Sequence, residues 1–220
     1  MASRLTDVYI ELGEKRAFAC AQDWPGWCRS AKDEKGALAT LAAYAERYAP
    51  VARGARIPFK VSADAFTVVE RVRGGVSTDF GVPDRATKAD LKPLGKGEAE
   101  RLAALVTSAW AVFDRVAAHA PAELRKGPRG GGRDRDTMID HVLGADGAYA
   151  RKLGLRLQVP DRKDRAGIAA FRRAVVEALG TPAKAPPAKG WPTRYAARRI
   201  AWHALDHAWE MEDRSRPAEG

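Results

Sequence analysis

A chain of 220 residues with 45% hydrophobic and 30% charged residues has enough apolar material for a buried core and lacks the composition that stays disordered. No apolar run approaches a membrane span and the start of the chain carries no secretory h-region, so a soluble, cytoplasmic protein without a membrane partner is expected. The formal net charge of +10 lies mostly after residue 80, in runs at 125–135 and 151–173; acidic residues are mixed into both, which leaves a basic nucleic-acid-binding protein as a minor alternative.

The first 80 residues read as a small β-β-β-α-β unit. Val8, Ile10 and Leu12 alternate with polar neighbours as a first strand, and residues 16–21, with Phe18 and Cys20 on one face, form a second. Asp23-Trp24-Pro25-Gly26 is a tight turn, because proline pre-sets one dihedral and glycine tolerates positive φ. Residues 27–30 return as a third strand. A helix is expected from Asp33 to Tyr48, stopped by Pro50, and a last strand over 66–72. Cys20 and Cys28 fall in one hairpin; a cross-strand disulfide is geometrically conceivable, but two reduced thiols are expected of a cytoplasmic chain. Asp79-Phe80-Gly81 has no accompanying kinase motif and carries no kinase reading.

The passage FACAQDWPGWCRSAKDEKGALATL resembles the HicB-like fold through Asp23, Pro25, Gly26, Asp33, Glu34, Ala37 and Leu38, over about residues 6–75. The resemblance implies a small α/β module over 1–80. With no helix-turn-helix or ribbon-helix-helix attached, the module is expected to pair with a second copy, dock a partner protein or act as a lid, or else to be purely structural. Residues 81–96 are expected to be a connection.

From residue 97 the period is helical. Leu102, Leu105, Val106, Trp110, Phe113 and Val116 make one stripe ending near His119, a helix-end residue not counted as a ligand. Gly130-Gly131-Gly132 leads to a second helix, capped by Asp134 or Asp136, in which Met138, Ile139, Val142, Tyr149 and Leu153 face inward. A third helix runs over 164–179, a Pro/Ala/Lys-rich extended segment follows, and a fourth helix covers 195–214. Four helices with apolar stripes predict a four-helix bundle over 97–220, and the whole chain is expected to be α+β.

The fourth helix carries the chemistry. His203 and His207 leave one face, within about 40° of each other, and Glu210 and Arg214 extend that stripe. His141 lies in the second helix. Three imidazoles converging between helices supply three ligands and leave one position open, as a catalytic metal site requires. Glu210 is expected to orient a ligand or carry protons, or else to pair with Arg214. Arg199, one turn before His203, is expected either to hold an anionic substrate group or to lie in solvent. One histidine in the second helix and His-x-x-x-His in the fourth resemble the DinB/YfiT metalloenzyme superfamily over about residues 97–214, with His141, His203 and His207 at the matching positions. That resemblance implies an up-down-down-up bundle, a divalent ion (Zn, Ni or Fe) on the three histidines, and thiol-dependent transfer. The expected function is a metal-dependent S-transferase, isomerase or hydrolase that acts on a small-molecule substrate with a low-molecular-weight thiol. The rival is a non-catalytic protein that binds a partner through its first domain and holds a structural metal or none.

Overall fold

The computed structural model describes residues 5–60, 66–126 and 132–215. They form a mixed α+β structure of four strands and seven α-helices. The strands are β1 (Thr6–Leu12), β2 (Ala17–Ala21), β3 (Cys28–Ala31) and β4 (Phe66–Arg73). They make one sheet in the order β3-β2-β1-β4, antiparallel across β1–β2 and β2–β3 and parallel across β1–β4. The parallel pairing needs a crossover, which α1 (Glu34–Ala43) and α2 (Ala45–Gly54) supply. The Asp33 side chain caps α1 by accepting from the Gly36 N–H at 2.7 Å.

Two local expectations need correction. The helix expected over 33–48 is broken at Tyr44, and Pro50 lies inside α2 instead of ending the helix. Proline forgoes one intrahelical bond, and burial of the neighbouring Tyr48, Val51 and Ala52 offsets that cost. Cys20 stands opposite Cys28 in the β2–β3 register, and the two are joined as a disulfide where reduced thiols were expected.

Both faces of the sheet are covered, and this places α7 (Thr193–Ser215) at the centre. One face presents Val8, Ile10, Ala19 and Ala21 to a cluster that includes Trp27, Leu41, Tyr48 and Val51. The other presents Tyr9, Phe18, Cys20 and Cys28 to Trp202 of α7, with Phe18 edge-on to the indole at 6.4 Å. Gly26, at φ +92°, turns the β2–β3 connection tightly against α7, where a side chain would collide with Leu205 and Ala201.

Between sheet and long helices lie α3 (Val76–Phe80) and a 3₁₀ turn, Lys88–Leu91. The Asp79 carboxylate accepts from the backbone N–H groups of Lys15 (2.7 Å) and Glu14 (3.2 Å), so the triplet at 79–81 anchors the β1–β2 turn. Asp90, in the 3₁₀ turn, makes a buried bidentate pair with Arg198 of α7 at 2.6 and 2.5 Å. The Arg198 guanidinium also stacks over Tyr9. The stretch 81–96 is therefore pinned to α7.

The remaining helices are α4 (Lys96–His119), α5 (Arg135–Lys152) and α6 (Arg165–Leu179). α4 and α5 pack on α7, and α6 packs on α4. Of the expected glycine run, Gly130 and Gly131 lie outside the described residues. One continuous buried cluster joins residues of the sheet, α1, α2 and all four long helices. Across that junction Tyr44 packs edge-on against Trp209 at 5.0 Å, and Arg47 bonds Glu212 at 2.7 Å. No described helix is long and apolar enough to cross a membrane.

Candidate metal centre

α7 is buried around most of its circumference, because the sheet, α4 and α5 all pack on it. A polar residue on this helix therefore needs a partner. His203 and His207, one turn apart, project toward α5, and α5 brings His141 to meet them. The Nε2 atoms of His203 and His141 are 3.1 Å apart, and one ligand nitrogen from each of the three rings lies within 4.8 Å of the others. Ring centroids are 4.9 Å apart for His141–His203 and for His141–His207, and 4.7 Å for His203–His207. His203 and His207 are buried, whereas His141 is partly exposed and opens the group to solvent.

Electrostatics keep the rings of His203 and His141 in the form that binds a cation. Burial, followed by the positive charge the neighbouring His207 and His141 would carry, pushes the pKa of His203 down to about 2. Burial and His207 push His141 down to about 4, and Arg133 lowers both further. Near pH 7 both are neutral imidazoles with lone pairs available. His207 Nδ1 lies 2.8 Å from Glu210 Oε2. A carboxylate only accepts, so Nδ1 carries the proton and Nε2 is left as the free ligand atom. The bond from His207 holds the Glu210 carboxyl below its ordinary range, with Arg214 at 2.9 Å on the other oxygen adding to the effect.

These residues fit a metal ion. Ligand bonds of 2.0–2.1 Å in a tetrahedral shell put adjacent nitrogens about 3.3 Å apart, close to the His141–His203 spacing. The three-histidine group can hold a metal ion. No protein-family model, curated protein or solved structure matches this chain.

The three histidines singled out in the sequence are the three that the fold brings together. Glu210 accepts from His207 Nδ1 through one oxygen and pairs with Arg214 through the other. His119 stays apart, its Nδ1 bonded to the Arg115 carbonyl at 2.7 Å. Arg199 is not in solvent. It is buried, its Nη1 donates to the Pro83 carbonyl at 2.5 Å and its Nη2 to the Tyr149 hydroxyl at 3.3 Å, and its plane lies 4.8 Å from the Trp202 ring.

Two neighbours of the site carried no signal strong enough to single them out. Tyr149, read in the sequence as an inward-facing apolar position, packs edge-on to His203 at 5.8 Å and fixes Arg199 through its hydroxyl. Its place two turns after His141 on the same helix was the available clue. Arg133, exposed just before α5, sits close enough for its charge to act on His141, His203 and Glu210.

Proposed function

We propose that the protein is a DinB-like metal-dependent enzyme in which His141, His203 and His207 hold a divalent ion, and in which a HicB-like module forms the N-terminal part. The observation that carries this reading is the convergence of three imidazoles from two helices, with the tautomer of the third set by a carboxylate. A purely structural polar cluster has no need of three imidazole nitrogens gathered within 4.8 Å of one another. When bound there, a divalent ion would favour the deprotonated form of a water or thiol near neutral pH.

The chain's own residues supply the rest. Glu210 holds His207 and can accept or return a proton within hydrogen-bond reach of the site. Arg133, exposed at the entrance, is the cation placed to attract an anionic substrate group, while Arg199 braces Tyr149 and the segment at Pro83 from inside. The partial exposure of His141 leaves one side of the group facing solvent. The reaction class that fits is transfer, isomerisation or hydrolysis on a small electrophile with a low-molecular-weight thiol as co-substrate.

The test is a rate comparison. Protein stripped with chelator, then reloaded separately with zinc, nickel or ferrous ion, is assayed with a panel of small thiols and electrophiles. Turnover should need both metal and thiol and should vanish in His141→Ala with the fold intact by circular dichroism. Equal rates for stripped and reloaded protein would refute the proposal.

A further inference from the structure

α5 and α6 stand apart: α5 packs on α7 and α6 on α4, and a groove of about 700 Å³ runs between them. It lies on the side of α5 turned away from the histidines, since Ile139 and Leu143, which line it, flank His141 by two residues on either side. Its lining mixes apolar side chains with charged ones, and the apolar ones are gathered at the base and on two walls. Phe113 and Ala117 of α4 form the base, Leu143 and the partly buried Ile139 one wall, and the partly buried Ile168 the other. Ion pairs hold those walls in place. Arg162, in the α5–α6 connection, bonds Asp140 at 2.8 Å and approaches Asp136 at 3.5 Å, and Arg172 of α6 bonds Asp114 of α4 at 2.5 and 3.0 Å.

Charge on the rim is one-sided. Both carboxylates that line the groove, Asp114 and Asp136, are already neutralised by arginines. Lys163 and Arg165, exposed on the same rim, pair with no carboxylate among the described residues. A groove of this volume, within the roughly 300–1,000 Å³ of small-molecule sites, with apolar side chains at its base, its carboxylates already paired and two cations at its lip that pair with no carboxylate among the described residues, is complementary to one kind of ligand. We propose that this groove binds a single-chain amphiphile with an anionic head, a medium-chain carboxylate, with its tail between Ile139 and Ile168 and its head at Lys163 and Arg165. The site is separate from the three histidines, and the proposal holds whether or not they bind a metal.

Octanoate, decanoate and dodecanoate, each below its micellar concentration, are titrated into the full chain by calorimetry in low-salt buffer, with and without chelator. Each added methylene should tighten binding by up to about fourfold as more chain is buried. Chelator should leave the constants unchanged. The double variant Lys163→Glu/Arg165→Glu, which alters only exposed side chains, should weaken decanoate binding at least about tenfold through loss of the charge contacts and reversal of their sign. Ile168→Asp should abolish binding; if that variant does not fold, the charge reversal decides alone. No heat from any of the three at millimolar concentration, decanol or decyltrimethylammonium binding as tightly as decanoate, or an unchanged constant in the double variant would each overturn the assignment.

Discussion

Replacing Glu210 should weaken metal binding in graded steps set by what each substitution leaves at His207 Nδ1. In the native chain a carboxylate oxygen 2.8 Å away accepts from that nitrogen, a charge-assisted bond that fixes both tautomer and ring orientation. Glu210→Gln keeps an acceptor of the same reach but removes the charge; Glu210→Ala removes both. Partners of this kind are worth 10–100-fold in metal affinity, so glutamine should cost about tenfold and alanine close to a hundredfold, or roughly 1.4 and 2.7 kcal/mol. Arg214→Met is the control. It takes away the ion pair on the other oxygen and leaves the His207 bond, and a half-exposed pair of this sort contributes less than about fivefold. The assay is competition for zinc against a chromophoric chelator at pH 7.5, with circular dichroism to verify folding. An alanine variant that binds within about threefold of the native chain, or an Arg214→Met variant weaker than it, would refute the reasoning that Glu210 acts through His207.

Three further outcomes follow from buried charges and contacts. Burial pushes the Asp146 carboxyl up to about 7, while Trp110 Nε1 donates to one of its oxygens at 2.9 Å and the other has no partner. Its folded pKa exceeds its unfolded value, so its contribution to stability is complete below about pH 4 and is lost as pH rises through 7, on the order of a few kcal/mol. Asp146→Asn keeps the indole bond and cannot ionise; the variant should gain stability on the native chain between pH 4 and 8 in urea titrations, and a pH-independent difference would contradict this. Asp90→Ala leaves the Arg198 guanidinium buried without its counter-charge and should cost about 3–5 kcal/mol by denaturant unfolding, whereas a loss under about 1 kcal/mol would show that the pair is dispensable. Trp209→Ala empties the space between α7 and Tyr44 and should cost about 3–5 kcal/mol, read in the same way.

What the sequence revealed and what it concealed divide along physical lines. Period-2 alternation at Val8, Ile10 and Leu12 and the 3.6-residue stripe through Leu102, Val106 and Phe113 are local signals, and the corresponding elements form where they were expected. The spacing of His203 and His207 is local too, so their shared face was legible, and His141 joined them through its place in the second helix. The break at Tyr44 and the helical Pro50 were not legible: each depends on burial against distant residues, with the Tyr48 hydroxyl donating to the Pro25 carbonyl at 2.9 Å. Arg199 read as a cation for a substrate group or for solvent because nothing nearby in sequence announces Pro83 or Tyr149. The same holds for 81–96, whose composition suggested a connection while Asp90 fastens it to α7 through Arg198.

The most direct test of the three-histidine centre is its metal stoichiometry. Native chain and the single variants His141→Ala, His203→Ala and His207→Ala are dialysed against limiting zinc, and bound metal is counted by elemental analysis alongside protein concentration. The native chain should hold about one equivalent, and each variant, folded by circular dichroism, should lose most of it, because two imidazoles alone do not complete a three-ligand site. Retention of a full equivalent by all three variants, or none by the native chain, would contradict the account.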